Sequence, residues 1–136
     1  MNVLEVYKKI EEENIVVMPC KVPNVKGVAI QVDGKQGIFL NYDEFENSDE
    51  EFCVTTHEYG HCMTGSLYGF DADQTTKQKC EYKADRRAIT AFLPIERLKE
   101  AINYGCQMSY EFAEYLGLPE KFVIKAYEHY KVMGLL

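Results

Sequence analysis

The sequence predicts one α+β domain, with a small β-sheet near the N-terminus followed by helices, and three observations carry that expectation. The first is a hairpin signal: Asp33-Gly34 separates two apolar-rich runs, and tight two-residue turns need the positive φ that glycine supplies. The second is a pair of helix-start patterns, Ser48 with Glu51 and Thr75 with Gln78, each a capping box in which the two residues satisfy backbone N–H groups. The third is apolar spacing of three and four residues through much of the chain after Ile95, the period of a helix with one buried face.

In chain order these signals give three subregions, 1–47, 48–94 and 95–136, of a single domain spanning 1–136. A short helix from near Asn2 to Glu13 leads into candidate strands Ile15–Met18, Gly27–Val32 and Gln36–Asn41. A helix is expected from about Asp49 to Thr64, stopped by Gly65. A second runs from Thr75 to about Phe92, before Pro94 breaks it. The last subregion holds a helix ending near Gly105, a short helix opened by Ser109, a turn at Gly117, and a final helix with Pro119 at its first position. Tyr110, Phe112, Ala113, Leu116, Phe122, Val123, Ala126, Tyr127 and Tyr130 recur at helical spacing there, and most are expected to pack inward.

Composition limits the functions open to the chain. Its 136 residues are 46% hydrophobic and 27% charged, enough for a real core. The longest apolar stretches, such as Ile15–Met18 and Ile38–Leu40, fall far short of the roughly 18 residues a membrane span needs. The N-terminal residues lack a basic start and an apolar middle, so a cytoplasmic location is expected. Five widely spaced cysteines fit neither a disulfide framework nor a zinc ribbon and are expected to be reduced. A net charge of −7 disfavours nucleic acid as a partner and favours protein.

Chemistry is concentrated in His57-Glu58-Tyr59-Gly60-His61. Residues four apart on a helix share a face, so both histidine rings can reach one tetrahedral zinc ion. Glu58 lies about 100° around the helix, placed to act on a water beside the metal as general base. Two histidines that merely pack would satisfy the same spacing, but two of the chain's three histidines on a helix with its own start signal weigh against that. A catalytic zinc needs a third protein ligand. Glu81 is the candidate, because Ala84, Ala88 and Phe92 share its helix face and mark it as buried, and a buried carboxylate needs a partner. Asp71 and Asp73 are alternatives in a loop. Asp85, one turn after Glu81, could accept a hydrogen bond from the other nitrogen of a ligand histidine. Gly60 is costly inside a helix, so something approaches closely there, with the strand before the motif as the candidate. That strand, if it forms a sheet edge, could pair with an extended substrate through Phe39, Leu40 and Asn41.

The run from His57 to His61, followed by Glu81-Tyr82-Lys83-Ala84-Asp85 and Ala88 to Pro94, resembles the ImmA/IrrE family of metallo-endopeptidases of bacteria, mobile elements and phages. The hairpin ending in Ile38-Phe39-Leu40-Asn41 and the tail Glu114-Tyr115-Leu116-Gly117-Leu118-Pro119 with Phe122-Val123 are also similar, so the likeness covers most of the chain. Arg86-Arg87 and Leu93-Pro94 depart from its usual, more apolar pattern. The resemblance implies a zincin-like fold of the gluzincin type: a small antiparallel sheet on the motif helix and a second ligand helix, with a helix-turn-helix-like tail. It implies one zinc ion held by His57, His61 and Glu81, Glu58 as base and Asp85 behind the ligands, and as substrate an Xre-like helix-turn-helix repressor of a mobile element, phage or stress operon. The main alternative is a regulatory module that binds a repressor or DNA through the C-terminal helices, with an idle or structural metal. Charge disfavours it, since Ile95–Leu136 carries five basic against six acidic residues and a DNA-reading tail should be basic. A non-peptide amide hydrolase would share the metal chemistry and differ only in its cleft.

Overall fold

The computed structural model describes residues 3–136, which form six α-helices and three strands. The chain divides into two compact units, Val3–Ala88 and Ile89–Leu136. The first contains α1 (Val3–Glu12), β1 (Val16–Pro19), β2 (Gly27–Val32), β3 (Lys35–Leu40), α2 (Ser48–Thr64) and all but the last turn of α3 (Gln74–Phe92).

The hairpin signal is realised as expected: Asp33 and Gly34 both have positive φ, 52° and 77°, and join β2 to β3 by a two-residue turn. The sheet is mixed, however, and not purely antiparallel. β3 lies in the middle, antiparallel to β2 and parallel to β1, in the order β1-β3-β2. Local signals specify only the β2–β3 turn; the long stretch between β1 and β2 carries no turn that dictates which edge β1 joins. Ile38 and Leu40 alternate along β3 as buried residues, and β2 and β3 lie against α2. The Gln36 amide donates to the Cys62 carbonyl at 2.6 Å and ties β3 to the last turns of that helix.

Both helix starts differ from the expected capping boxes by one residue or more. Asn47 caps α2, its side chain accepting from the Glu50 N–H at 2.9 Å. Glu51 is drawn away by a tertiary contact instead, accepting the Tyr7 hydroxyl of α1 at 2.6 Å. Likewise α3 opens at Gln74 because Asp73 accepts from the Thr76 N–H at 2.7 Å. Gly65 ends α2 in the left-handed region, as the sequence predicts.

What approaches Gly60 is α3, not the strand. A Cβ on Gly60 would collide with the backbone carbonyl of Ala84. Glycine therefore permits a helix-to-helix contact at backbone distance. Ala84 and Ala88 are buried on that side of α3.

In the second unit, α4 (Ile95–Tyr104) ends at Gly105, α5 (Ser109–Leu116) ends at Gly117, and α6 (Glu120–Val132) packs on α5. Pro119 stands just before α6 and not within it. Glu111 accepts backbone N–H groups of Gln107 and Met108 and so opens α5. Phe112, Leu116, Phe122, Val123, Ala126 and Tyr130 are buried, and Tyr130 donates to the Leu93 carbonyl at 2.9 Å. Tyr110 and Tyr127 depart from the expected inward stripe and are exposed, the polar hydroxyl making either position tolerable in water.

The close approach makes a signed prediction. In an ordinary helix Gly→Ala gains about 1 kcal/mol. Gly60→Ala should instead lower the thermal unfolding midpoint, since forced overpacking costs roughly 1–3 kcal/mol and here the obstacle is backbone. An unchanged or raised midpoint in a calorimetric scan would contradict the contact.

Candidate active site

Within the first unit, α2 carries His57, Glu58 and His61, α3 carries Glu81 and Asp85, and the backbone contact at Gly60 sets the two helices side by side. The orientation of each imidazole follows from what its Nδ1 meets. His61 Nδ1 lies 2.7 Å from the Ser66 carbonyl oxygen, which can only accept, so this nitrogen carries the proton. His57 Nδ1 lies 2.7 Å from Asp85 Oδ1, a carboxylate, with the same consequence. In the neutral rings both Nε2 atoms are then lone-pair acceptors, and they face each other at 3.1 Å.

Glu81 completes the group. Its Oε2 is 2.6 Å from His57 Nε2 and its Oε1 is 3.3 Å from His61 Nε2. Three acceptors converging in this way repel unless a proton, such as one on His57 Nε2 shared with Glu81, or a metal cation lies among them. A zinc ion bound at about 2.0–2.1 Å to each donor of a tetrahedron would set those donors roughly 3.3 Å apart. The His57–His61 and His61–Glu81 separations of 3.1 and 3.3 Å match this, and the 2.6 Å between Glu81 Oε2 and His57 Nε2 is shorter. His57, His61 and Glu81 are the cluster of metal-competent side chains among the described residues, with donor atoms within 4.8 Å of one another. The donor set, two imidazoles and one carboxylate, suits zinc.

Ionisation follows the same contacts. Burial works to lower the His57 pKa, but the hydrogen bond to Asp85 and the charges of Asp85, Glu58 and Glu81 outweigh it and hold it above its ordinary value. Burial also raises Glu58, against the opposing pull of His57 and His61. For Glu81 burial pushes upward, and the Tyr68 hydrogen bond and the two histidines bring it below the usual carboxylate range. Glu58 itself is buried, and its Cγ lies against Gly27 at the start of β2, where an added Cβ would come within 3.2 Å.

The strand expectation changes. β3 is paired on both sides, so Phe39 and Leu40 cannot offer a free edge, and Asn41, just after it, donates its N–H to the Lys26 carbonyl. Leu40 is buried, and the Asn41 side chain is used internally, donating to the Val22 carbonyl and accepting from the Asp43 N–H. β2 is the edge strand beside α2 and Glu58. Asp71 and Asp73 lie outside the cluster, and Asp73 serves as a helix cap.

Two contacts at the site have no clear signature in the sequence. Ser66 acts through its backbone carbonyl, which leaves no side-chain signal, although the Gly65 stop implies that the chain turns back there. Tyr68 donates to Glu81 Oε1 at 2.6 Å, and its ring stands edge-on to His61 with centroids 6.3 Å apart. Nothing in the sequence sets it apart from nine other tyrosines.

The family model of the IrrE N-terminal-like domain, a peptidase family, matches residues 10–127. The chain belongs to this family. As an IrrE N-terminal-like protein it is a metallopeptidase whose substrate is a protein. The matched span includes all five residues of the cluster and its surround, His57, Glu58, His61, Glu81 and Asp85. Neither the curated proteins nor the solved structures include a significant match to the chain. No helix among the described residues is long and apolar enough to cross a membrane.

The charge balance at His57 can be tested directly. Asp85→Asn removes the partner that raises the His57 pKa and leaves burial opposed only by Glu58 and Glu81, so that pKa should fall. An NMR titration of the ring protons in metal-free protein reads it. An unmoved His57 titration would contradict the assigned pairing.

Proposed function

We propose that this IrrE N-terminal-like protein is a zinc-dependent endopeptidase in which His57, His61 and Glu81 hold one ion and Glu58 is the general base. The observation that carries the proposal is the convergence of three acceptor groups whose other atoms are already committed to Asp85, Ser66 and Tyr68. When bound, zinc would acidify water toward a pKa of about 7 and polarise the scissile carbonyl.

The chain's own residues supply the rest. Glu58 takes the proton of the attacking water and delivers it to the leaving amine nitrogen, and its burial strengthens it as a base by destabilising the ionised form. Asp85 and the Ser66 carbonyl hold both imidazoles in the tautomer that turns Nε2 toward the ion. The outer edge of β2 is suited to pair with an extended segment of substrate, which would lay a backbone beside Glu58. Gly27 keeps that strand close to α2, since a side chain there would meet Val54 and Glu58.

The substrate we propose is an Xre-like helix-turn-helix repressor, cut in the cytoplasm to release genes of a mobile element, phage or stress operon. Family resemblance supports this assignment. The chain's acidity also agrees with a protein substrate more than with DNA.

Glu58→Gln should bind zinc as the parent does and cleave a co-encoded Xre-type repressor roughly 10²–10⁴ times more slowly, the usual contribution of a positioned base. Gel analysis of cleavage together with metal analysis checks both halves. Cleavage at the parent rate would remove Glu58 from the base role.

A further inference from the structure

Each histidine of the cluster has a fixed partner on the side away from the ion: Asp85 for His57 and the Ser66 carbonyl for His61. Glu81 sits on a more exposed part of its helix, with 40% of its side chain accessible, and a long carboxylate in that setting turns freely unless something holds it. Tyr68 supplies the hold. We propose that Tyr68 is a positioning residue for the metal centre: its hydroxyl occupies Glu81 Oε1 and keeps Oε2 turned toward His57. The inference rests on Glu81 being a ligand.

Three observations favour this role. The Tyr68 hydroxyl donates to Oε1 at 2.6 Å, an oxygen that also lies 3.3 Å from His61 Nε2, while Oε2 of the same carboxylate is 2.6 Å from His57 Nε2, so the phenol engages the one oxygen and leaves the other to His57. The phenol is a pure donor in this contact, because the carboxylate can only accept, and a carboxylate ligand needs its second oxygen satisfied. Finally, Tyr68 lies two residues after Ser66, so one short loop between α2 and α3 fixes both His61 and Glu81. The Tyr68 ring also stands edge-on to His61, with centroids 6.3 Å apart. Tyr68 is itself 39% exposed, so loss of the hydroxyl leaves the core intact.

The test is a double-mutant cycle read by zinc affinity, with chelator competition for tight variants and titration calorimetry for weak ones, on the parent, Tyr68→Phe, Glu81→Ala and the combined variant. Tyr68→Phe should weaken zinc binding by about 10- to 100-fold, as loss of a partner behind a ligand does. In the Glu81→Ala background the same change should have no further effect, because the carboxylate it acts on is gone. The metal-free unfolding midpoint of Tyr68→Phe should be unchanged. Unaltered affinity in Tyr68→Phe, or an equal loss with and without Glu81, overturns the positioning role. A parent that binds zinc while Glu81→Ala binds it equally well removes Glu81 as ligand and this inference with it. A parent that binds no zinc overturns the metal centre as a whole.

Discussion

Gly60 and the backbone of Ala84 set the distance between α2 and α3, and every contact across the candidate centre depends on it. Ala84 stands between Glu81 and Asp85 in sequence, so the point of closest approach lies between the two carboxylates that reach His57. A larger residue at position 60 would push α3 outward. Hydrogen bonds of 2.7 Å do not survive displacements of that kind, because their strength falls steeply with distance and angle. One missing Cβ thus connects sequence to packing, and packing to the ionisation of the site.

The second constraint is electrostatic. Buried or half-buried ionisable groups, two imidazoles and two carboxylates, are brought together at His57, Glu58, His61 and Glu81, and such groups need partners for their charges and lone pairs. The two carboxylates are shifted in opposite directions, Glu58 raised by its burial and Glu81 lowered by the donors around it. The first shift suits a group that must take up a proton. The second suits one that must stay ionised beside a cation. Cys62, next to His61, is buried with its thiol pushed up to about 11, and its Sγ is directed to the Gly37 carbonyl at 3.9 Å, outside the cluster of His57, His61 and Glu81.

Much of this is legible in the sequence, because helical spacing is a local property. His57 and His61 at four residues, Glu81 and Asp85 on an alanine-lined face, Gly65 as a stop and Asp33-Gly34 as a hairpin turn all depend on neighbours within a turn or two. What stays hidden depends on contacts between distant segments. Glu51 leaves the expected capping box because Tyr7 of α1 reaches it. β1 joins the outer side of β3, which puts Phe39 and Leu40 in an interior strand and gives the edge beside Glu58 to β2. Gly60 announces a close approach without naming the neighbour. The loop after Gly65 is unreadable for another reason: Ser66 contributes a carbonyl and Tyr68 one hydroxyl among ten tyrosines.

Metal stoichiometry tests the central claim most directly. Protein saturated with zinc, dialysed against metal-free buffer and analysed for bound metal should retain about one zinc per chain, and a His57→Ala/His61→Ala variant of the same fold should retain none. A parent that retains no zinc, or a double variant that retains as much as the parent, would contradict a metal centre built on these two histidines.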